Sequence, residues 1–163
     1  MLLYHGSNVS VRNPIIQITK RNLDFGDGFY LTTDLEQAKK WALLVTKRRK
    51  SGKAIVSVFE YNEYNDLKIK KFDEPKKEWL EYVVSNRKRL FDNNNKYDII
   101  IGPVANDNTM PVITLYLNGV LTENEAVERL LPQKLTDQIV FKNDISLREL
   151  KFKEEITYDN ERY

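Results

Sequence analysis

The chain contains no cysteine, which excludes both disulfides and thiolate metal sites. It has one histidine in 163 residues, too few ring nitrogens for a zinc site of ordinary type, so any metal chemistry would have to rest on carboxylates. No apolar run approaches the ~20 residues of a membrane helix. The N-terminus also lacks the basic stretch, apolar run and small-residue cleavage site of a secretory signal. The expectation is a cytoplasmic protein with no membrane partner. An excess of one charge is missing too: 26 Lys and Arg against 24 Asp and Glu leave a net charge of +2, so only local clusters can argue for a nucleic-acid partner.

What is present describes a globular protein. Hydrophobic residues make up 41% and charged residues 31%, with 9 Tyr, 7 Phe and 2 Trp. The length suits one domain spanning residues 1–163. Leu2 to Gly6 reads as a strand ending in a loop, and residues 6–24 read as mostly loop around Ile15-Ile16, with Asn22 among its turn-formers. The glycines of Asp24-Phe25-Gly26-Asp27-Gly28 permit positive φ and close backbone approach before a strand at Phe29 to Thr32. Thr33 and Glu36 have capping-box spacing, and Ala38, Trp41, Ala42 and Val45 follow at helical intervals until Ser51-Gly52.

Further on, Ala54 to Tyr61 predicts a buried strand, and Leu67 to Phe72, alternating with lysines, an edge strand. Pro75 introduces a helix over about Lys76 to Phe91, carrying Trp79, Leu80, Val83, Leu90 and Phe91 and broken by Asp92 to Asn95. Tyr97 to Ile101 predicts a core strand, Met110 to Leu117 a short helix, and Thr122 with Glu125 caps another over Glu123 to Leu131. Strands at Gln138 to Phe141 and Phe152 to Tyr158 flank a helical turn near Ser146 to Leu150. Strands and helices are interspersed without a clean βαβ repeat, which predicts an α+β fold.

One combination stands out. Tyr4-His5-Gly6-Ser7 is followed by Phe25-Gly26-Asp27-Gly28-Phe29-Tyr30-Leu31 and by an aromatic, Trp41, eleven residues after Tyr30. This pattern resembles the NAD-binding half of the ADP-ribosyltransferases, in the His-Tyr-Glu branch that includes diphtheria toxin and the poly(ADP-ribose) polymerases. With YDIIIGPVANDN and DQIVF it is similar to a group of small bacterial domains of that superfamily. The resemblance implies split antiparallel β-sheets with flanking helices. It implies NAD as co-substrate and transfer of ADP-ribose to a macromolecular acceptor, protein or nucleic acid. It also implies that His5 bonds a ribose hydroxyl, that the Gly6 backbone holds the nicotinamide carboxamide, and that Ser7 and Asn8 border the ribose. Gly28 and Phe29 fall in the same NAD-binding segment, and Tyr30 and Trp41 match the rings that pack on the nicotinamide. Free-standing domains of this kind resemble toxin modules of toxin–antitoxin and phage-defence systems, which implies an antitoxin partner.

The chemistry suits those residue types. Nicotinamide is a flat cationic ring with one amide, best received by aromatic faces and by backbone with no side chain in the way. Breaking its bond to ribose creates an oxocarbenium-like sugar, which needs a group that stabilises positive charge, usually a carboxylate. The family's glutamate position reads Thr136-Asp137-Gln138-Ile139 here, so Asp137 and Gln138 are the alternatives. Alternation along a strand lets only one of them face the cleft. Asp98, Asn106 and Asp107 form another polar group near Gly102-Pro103. Lys47 to Lys50, with Lys39, Lys40 and Lys53, is the densest basic cluster, and Arg87-Lys88-Arg89 repeats it. These read as solvated helix faces or as phosphate grips. The rival to a transferase is a module of the same fold that binds NAD, ADP-ribose or RNA without turnover.

Overall fold

The computed structural model describes residues 1–18, 23–63, 66–88 and 96–159. Among them, strand β1 (Leu2–Ser7), strand β2 (Phe29–Leu31) and helix α1 (Leu35–Arg49) come first, followed by β3 (Ala54–Tyr61), β4 (Ile69–Lys71) and α2 (Lys77–Arg87). Then come β5 (Ile99–Pro103), α3 (Met110–Leu117), α4 (Glu123–Leu130), β6 (Asp137–Phe141), α5 (Asp144–Leu147) and β7 (Leu150–Tyr158). The expected positions of Asn22, Arg89, Leu90, Phe91 and the break at 92–95 lie outside the described residues.

The strands form two sheets, ordered β1-β3-β7 and β2-β6-β5-β4. Every pairing is antiparallel except β4 with β5. That exception corrects the expectation of two wholly antiparallel sheets. Its cause is the connection: the chain leaves β4, passes through α2 and returns in the same direction, as a parallel pair requires. The coarser α+β reading stands.

Strand alternation distributes the core. Tyr4 of β1 packs with Ala54, Val56 and Val58 of β3 against Ala38 and Ala42 of α1. Leu3, Phe29, Phe59, Ile139 and Phe141 form a second cluster that joins the two sheets. The other face of the second sheet, with Ile100 and Val140, is covered by α2, α3 and α4 through Trp79, Leu80, Ile113 and Leu130. Burying side chains of this size stabilises the fold by roughly 1.5–3 kcal/mol each. The buried Trp79 indole keeps its donor satisfied by bonding the Pro103 carbonyl at 2.9 Å.

Helix α1 begins one residue later than the Thr33–Glu36 spacing predicts. Asp34 is its N-cap, with a side-chain oxygen accepting from the Gln37 amide at 3.0 Å, and Lys50 closes it at φ 53° in place of glycine. An aspartate is as good a cap as a threonine, so two adjacent candidates compete. The second predicted capping box, Thr122 with Glu125, forms as expected.

Candidate functional site

The two sheets touch where β1 meets β2, through the pair Tyr4–Thr32, whose amides and carbonyls exchange bonds at 2.9 and 3.0 Å. An antiparallel ladder continued from that pair would set Gly6 opposite Tyr30. It does not continue: β1 stays with β3, β2 stays with β6, and a wedge opens between them. Residues of a strand alternate in the direction of their backbone groups. Because Tyr4 bonds toward β2, the amide and carbonyl of Gly6 also point away from β3, into the wedge.

The lone imidazole sits at this opening. His5 Nδ1 lies 2.7 Å from the Tyr30 carbonyl oxygen, and its ring stacks on Phe29 with centroids 4.3 Å apart. A carbonyl only accepts, so Nδ1 carries the proton and Nε2 keeps its lone pair. Burial lowers the His5 pKa below 6.5, the Tyr30 carbonyl bond opposes that, and Arg49 adds to the lowering. His5 is therefore neutral at pH 7. Phe29 is itself buried and packs edge-on against Phe59, so its ring supports the imidazole from the core side.

Gly6 is required sterically. A Cβ there would strike the Ala38 carbonyl oxygen and come within 2.9 Å of the Ala42 amide nitrogen, because α1 crosses directly over β1. Trp41 belongs to the same turn of α1. The helical spacing groups it with Ala38, Ala42 and Val45, but only those three are buried. Trp41 is 49% exposed, with the Arg48 guanidinium 5.7 Å from its ring centre. The buried stripe is narrower than the sequence interval suggests, since an indole at its margin can stay wet at little cost.

Tyr30 leaves β2 on the face opposite Phe29 and Leu31. Its hydroxyl donates to the Gly26 carbonyl at 2.6 Å and accepts from the Phe25 amide at 3.2 Å. Burial raises its pKa well above 10, with Asp24 adding to the effect, so the phenol remains protonated. His5 thus meets Tyr30 through the backbone carbonyl, and the phenol is fastened to the Phe25–Gly26 turn.

The late strand separates its two candidates. Register places Val140 opposite Tyr30 and Ile139 opposite Leu31, so Gln138 shares the Tyr30 face and Asp137 does not. Asp137 accepts from Thr32 Oγ1 and the Thr33 amide at 2.9 Å and from Thr33 Oγ1 at 2.7 Å, tying β6 to the segment that precedes α1. Gln138 is buried, and its Nε2 lies 3.4 Å from both Asp24 Oδ2 and the Pro103 carbonyl oxygen. Its Oε1 is the amide atom that these bonds leave unused among the described residues.

Ser7 is buried with its hydroxyl 3.5 Å from Asn8 Oδ1, and Asn8 is committed to the turn after α1: Nδ2 bonds Ser51 and Oδ1 accepts from Arg49 at 2.8 Å. Gly28 packs against β6, where a Cβ would meet Val140 and, at 2.9 Å, the Phe141 carbonyl. Asp98 accepts from the Lys68 amide and Asn143, and Asn106 accepts from the amides before α3, so both are structural.

Sequence reading missed two participants. Asp24, buried, accepts from the Arg87 guanidinium and the Ala105 amide, making a charged anchor beside Gln138. Arg87 therefore turns inward from the basic run to which the sequence assigns it. Lys142, buried at the end of β6, donates to the Phe25 carbonyl, and burial pushes its pKa down to about 8 against the opposing pull of Asp27. Nothing local marks either residue, since both partners lie far off in the chain.

Fold and site together define an α+β protein whose two sheets part at a wedge bordered by His5, with the half-exposed Trp41 on the helix that crosses β1. The chain belongs to the DUF3990 family, a protein family of unknown function whose model matches residues 1–152. No curated protein matches it. Among the described residues no helix is long and apolar enough to cross a membrane, and no cluster of three or more His, Asp or Glu gathers as a metal site would.

Proposed function

We propose that this protein is a mono-ADP-ribosyltransferase that binds NAD in the wedge between β1 and β2 and transfers ADP-ribose to a macromolecular acceptor. The observation that carries this reading is the bond from His5 Nδ1 to the Tyr30 carbonyl, which holds a neutral imidazole beside the outward-facing backbone of Gly6. The Gly6 amide and carbonyl are a donor–acceptor pair matched to one carboxamide. The free Nε2 of His5 suits a ribose hydroxyl, whereas Gln138 belongs to the Tyr30 face and stands apart from it. In the transfer, the bond between ribose C1 and the nicotinamide nitrogen breaks, and nicotinamide leaves with the electron pair. A bond from an acceptor nucleophile to C1 replaces it, and the nucleophile's proton passes to solvent.

Incubation with labelled NAD and cell extract tests this, following nicotinamide release and label transfer. His5→Ala is expected to lower both by roughly tenfold or more, since one hydrogen bond of about 1.4 kcal/mol in the transition state is a factor of ten. Loss of NAD binding in the wild type would sink the reading. A specific observation favours the rival: the Tyr30 face of β6 presents the amide of Gln138, and the nearest carboxylate, Asp24, is paired with Arg87. Saturable NAD binding without nicotinamide release, unchanged by acceptor, would favour a binding module of the same fold. An antitoxin that covers the wedge belongs to the same proposal, and its test is suppression of the label transfer by a protein that binds this chain.

A further inference from the structure

Residues 39–53 carry Lys39, Lys40, Lys47, Arg48, Arg49, Lys50 and Lys53 with no acid among them, although the whole chain is only +2. The rest of the molecule is therefore net negative, and the positive field is concentrated on one helix and its end. None of the seven joins an ion pair among the described residues. Lys39 lies over the Tyr158 ring and Arg49 bonds Asn8, which leaves the outer flank of α1 to Lys40, Lys47 and Arg48. The same flank, at i, i+3 and i+4 spacing, exposes Trp41 and Leu44, 49% and 52% accessible. Two contacts orient it. Lys39 marks the side of α1 over β7, whereas Gln37, 3.4 Å from the Asp137 carbonyl, marks the side over β6 and the wedge, and Trp41, Leu44 and Arg48 follow Gln37.

We propose that this flank binds single-stranded nucleic acid, with Trp41 as a stacking platform for a base and Lys40, Lys47 and Arg48 holding phosphates. An exposed indole bordered by a guanidinium and free cations combines the two elements of single-strand binding, a flat aromatic surface and an unneutralised positive track. An acidic protein surface would answer the cations but give the indole no flat partner, and a duplex keeps its bases stacked. Because the flank overlooks the wedge, a bound strand is the acceptor of the transfer. That consequence rests on the function proposed above, and it assigns Trp41 to the acceptor side.

The test needs no NAD. The full chain is titrated with oligo(dT) and oligo(rU) while tryptophan emission is followed; Trp79 is fully buried, so quenching reports Trp41. Quenching is expected, with log affinity falling against log salt at about −0.7 per phosphate contacted. The double substitution K47E/R48E is expected to weaken binding roughly tenfold or more with the folded far-UV circular dichroism retained, and Trp41→Ala to weaken it about tenfold. His5→Ala should bind like the wild type. Absence of binding, binding indifferent to salt or to K47E/R48E, equal affinity for duplex, or preference for polyglutamate over oligonucleotide would each overturn the proposal. Oligonucleotide binding in a protein that releases no nicotinamide would leave this surface standing and remove the transferase reading.

Discussion

The two faces of β2 hold their functional groups by opposite means. On the Phe29 side burial among apolar neighbours, with Arg49, keeps the imidazole neutral, against the opposing pull of the Tyr30 carbonyl bond that orients it. On the Tyr30 side the phenol sits beside the buried Asp24, paired with the partly exposed Arg87, and the amide of Gln138. The first arrangement fixes a weak base by stacking it on an apolar ring. The second fixes a ring by giving its hydroxyl two backbone partners and by pairing the buried carboxylate beside it, since an unpaired buried charge is costly. Three residues of strand create both because successive side chains point to opposite faces.

The largest expected effect breaks the apolar side. Phe29→Ala should cost about 3–5 kcal/mol in urea unfolding, as for other buried phenylalanines, and should bring the His5 titration seen by NMR back toward 6.5. A stable variant with unchanged titration would show that the ring does not support the imidazole. On the polar side, Arg87→Met should cost about 2–3 kcal/mol, because Asp24, only 7% exposed, would keep a charge without its partner. Arg87 is partly exposed, which holds the figure below that of a wholly buried pair.

Tyr30→Phe should cost about 1 kcal/mol near neutral pH through its lost hydroxyl bonds. It should also change the alkaline limb. The folded phenol titrates well above 10 and the unfolded one near 10, so the wild type loses stability as pH rises past about 10, and the variant should lose less. The smallest effect is the acid counterpart. His5 titrates lower when folded, so its contribution is present above about 6.5 and is lost as pH falls through that value; His5→Gln should flatten that segment of the stability curve. If both limbs survive their substitutions, the contrast between the faces is not electrostatic.

Much of the fold was legible in the residues because local rules decided it. The strand at Ala54–Tyr61 and the helix at Met110–Leu117 match their predicted limits, and Thr122 caps α4 as its spacing implies. The parallel pairing of β4 with β5 was not legible, since direction depends on where a connection ends. At the site, His5, Gly6 and Tyr30 were marked by one short pattern. Asp24 and Arg87 were not, because 63 positions separate them and each reads locally as something else, a turn former and a member of a basic run.

By itself the sequence determined the mixed class and most of the elements, because periodicity, caps and glycines act within a few residues. Only the tertiary structure decided that His5 meets the Tyr30 carbonyl and not its phenol, and that Gln138 and not Asp137 shares the Tyr30 face. Both outcomes follow from strand register and from the place where two sheets part. Register is a relation between distant segments, and no local pattern encodes it.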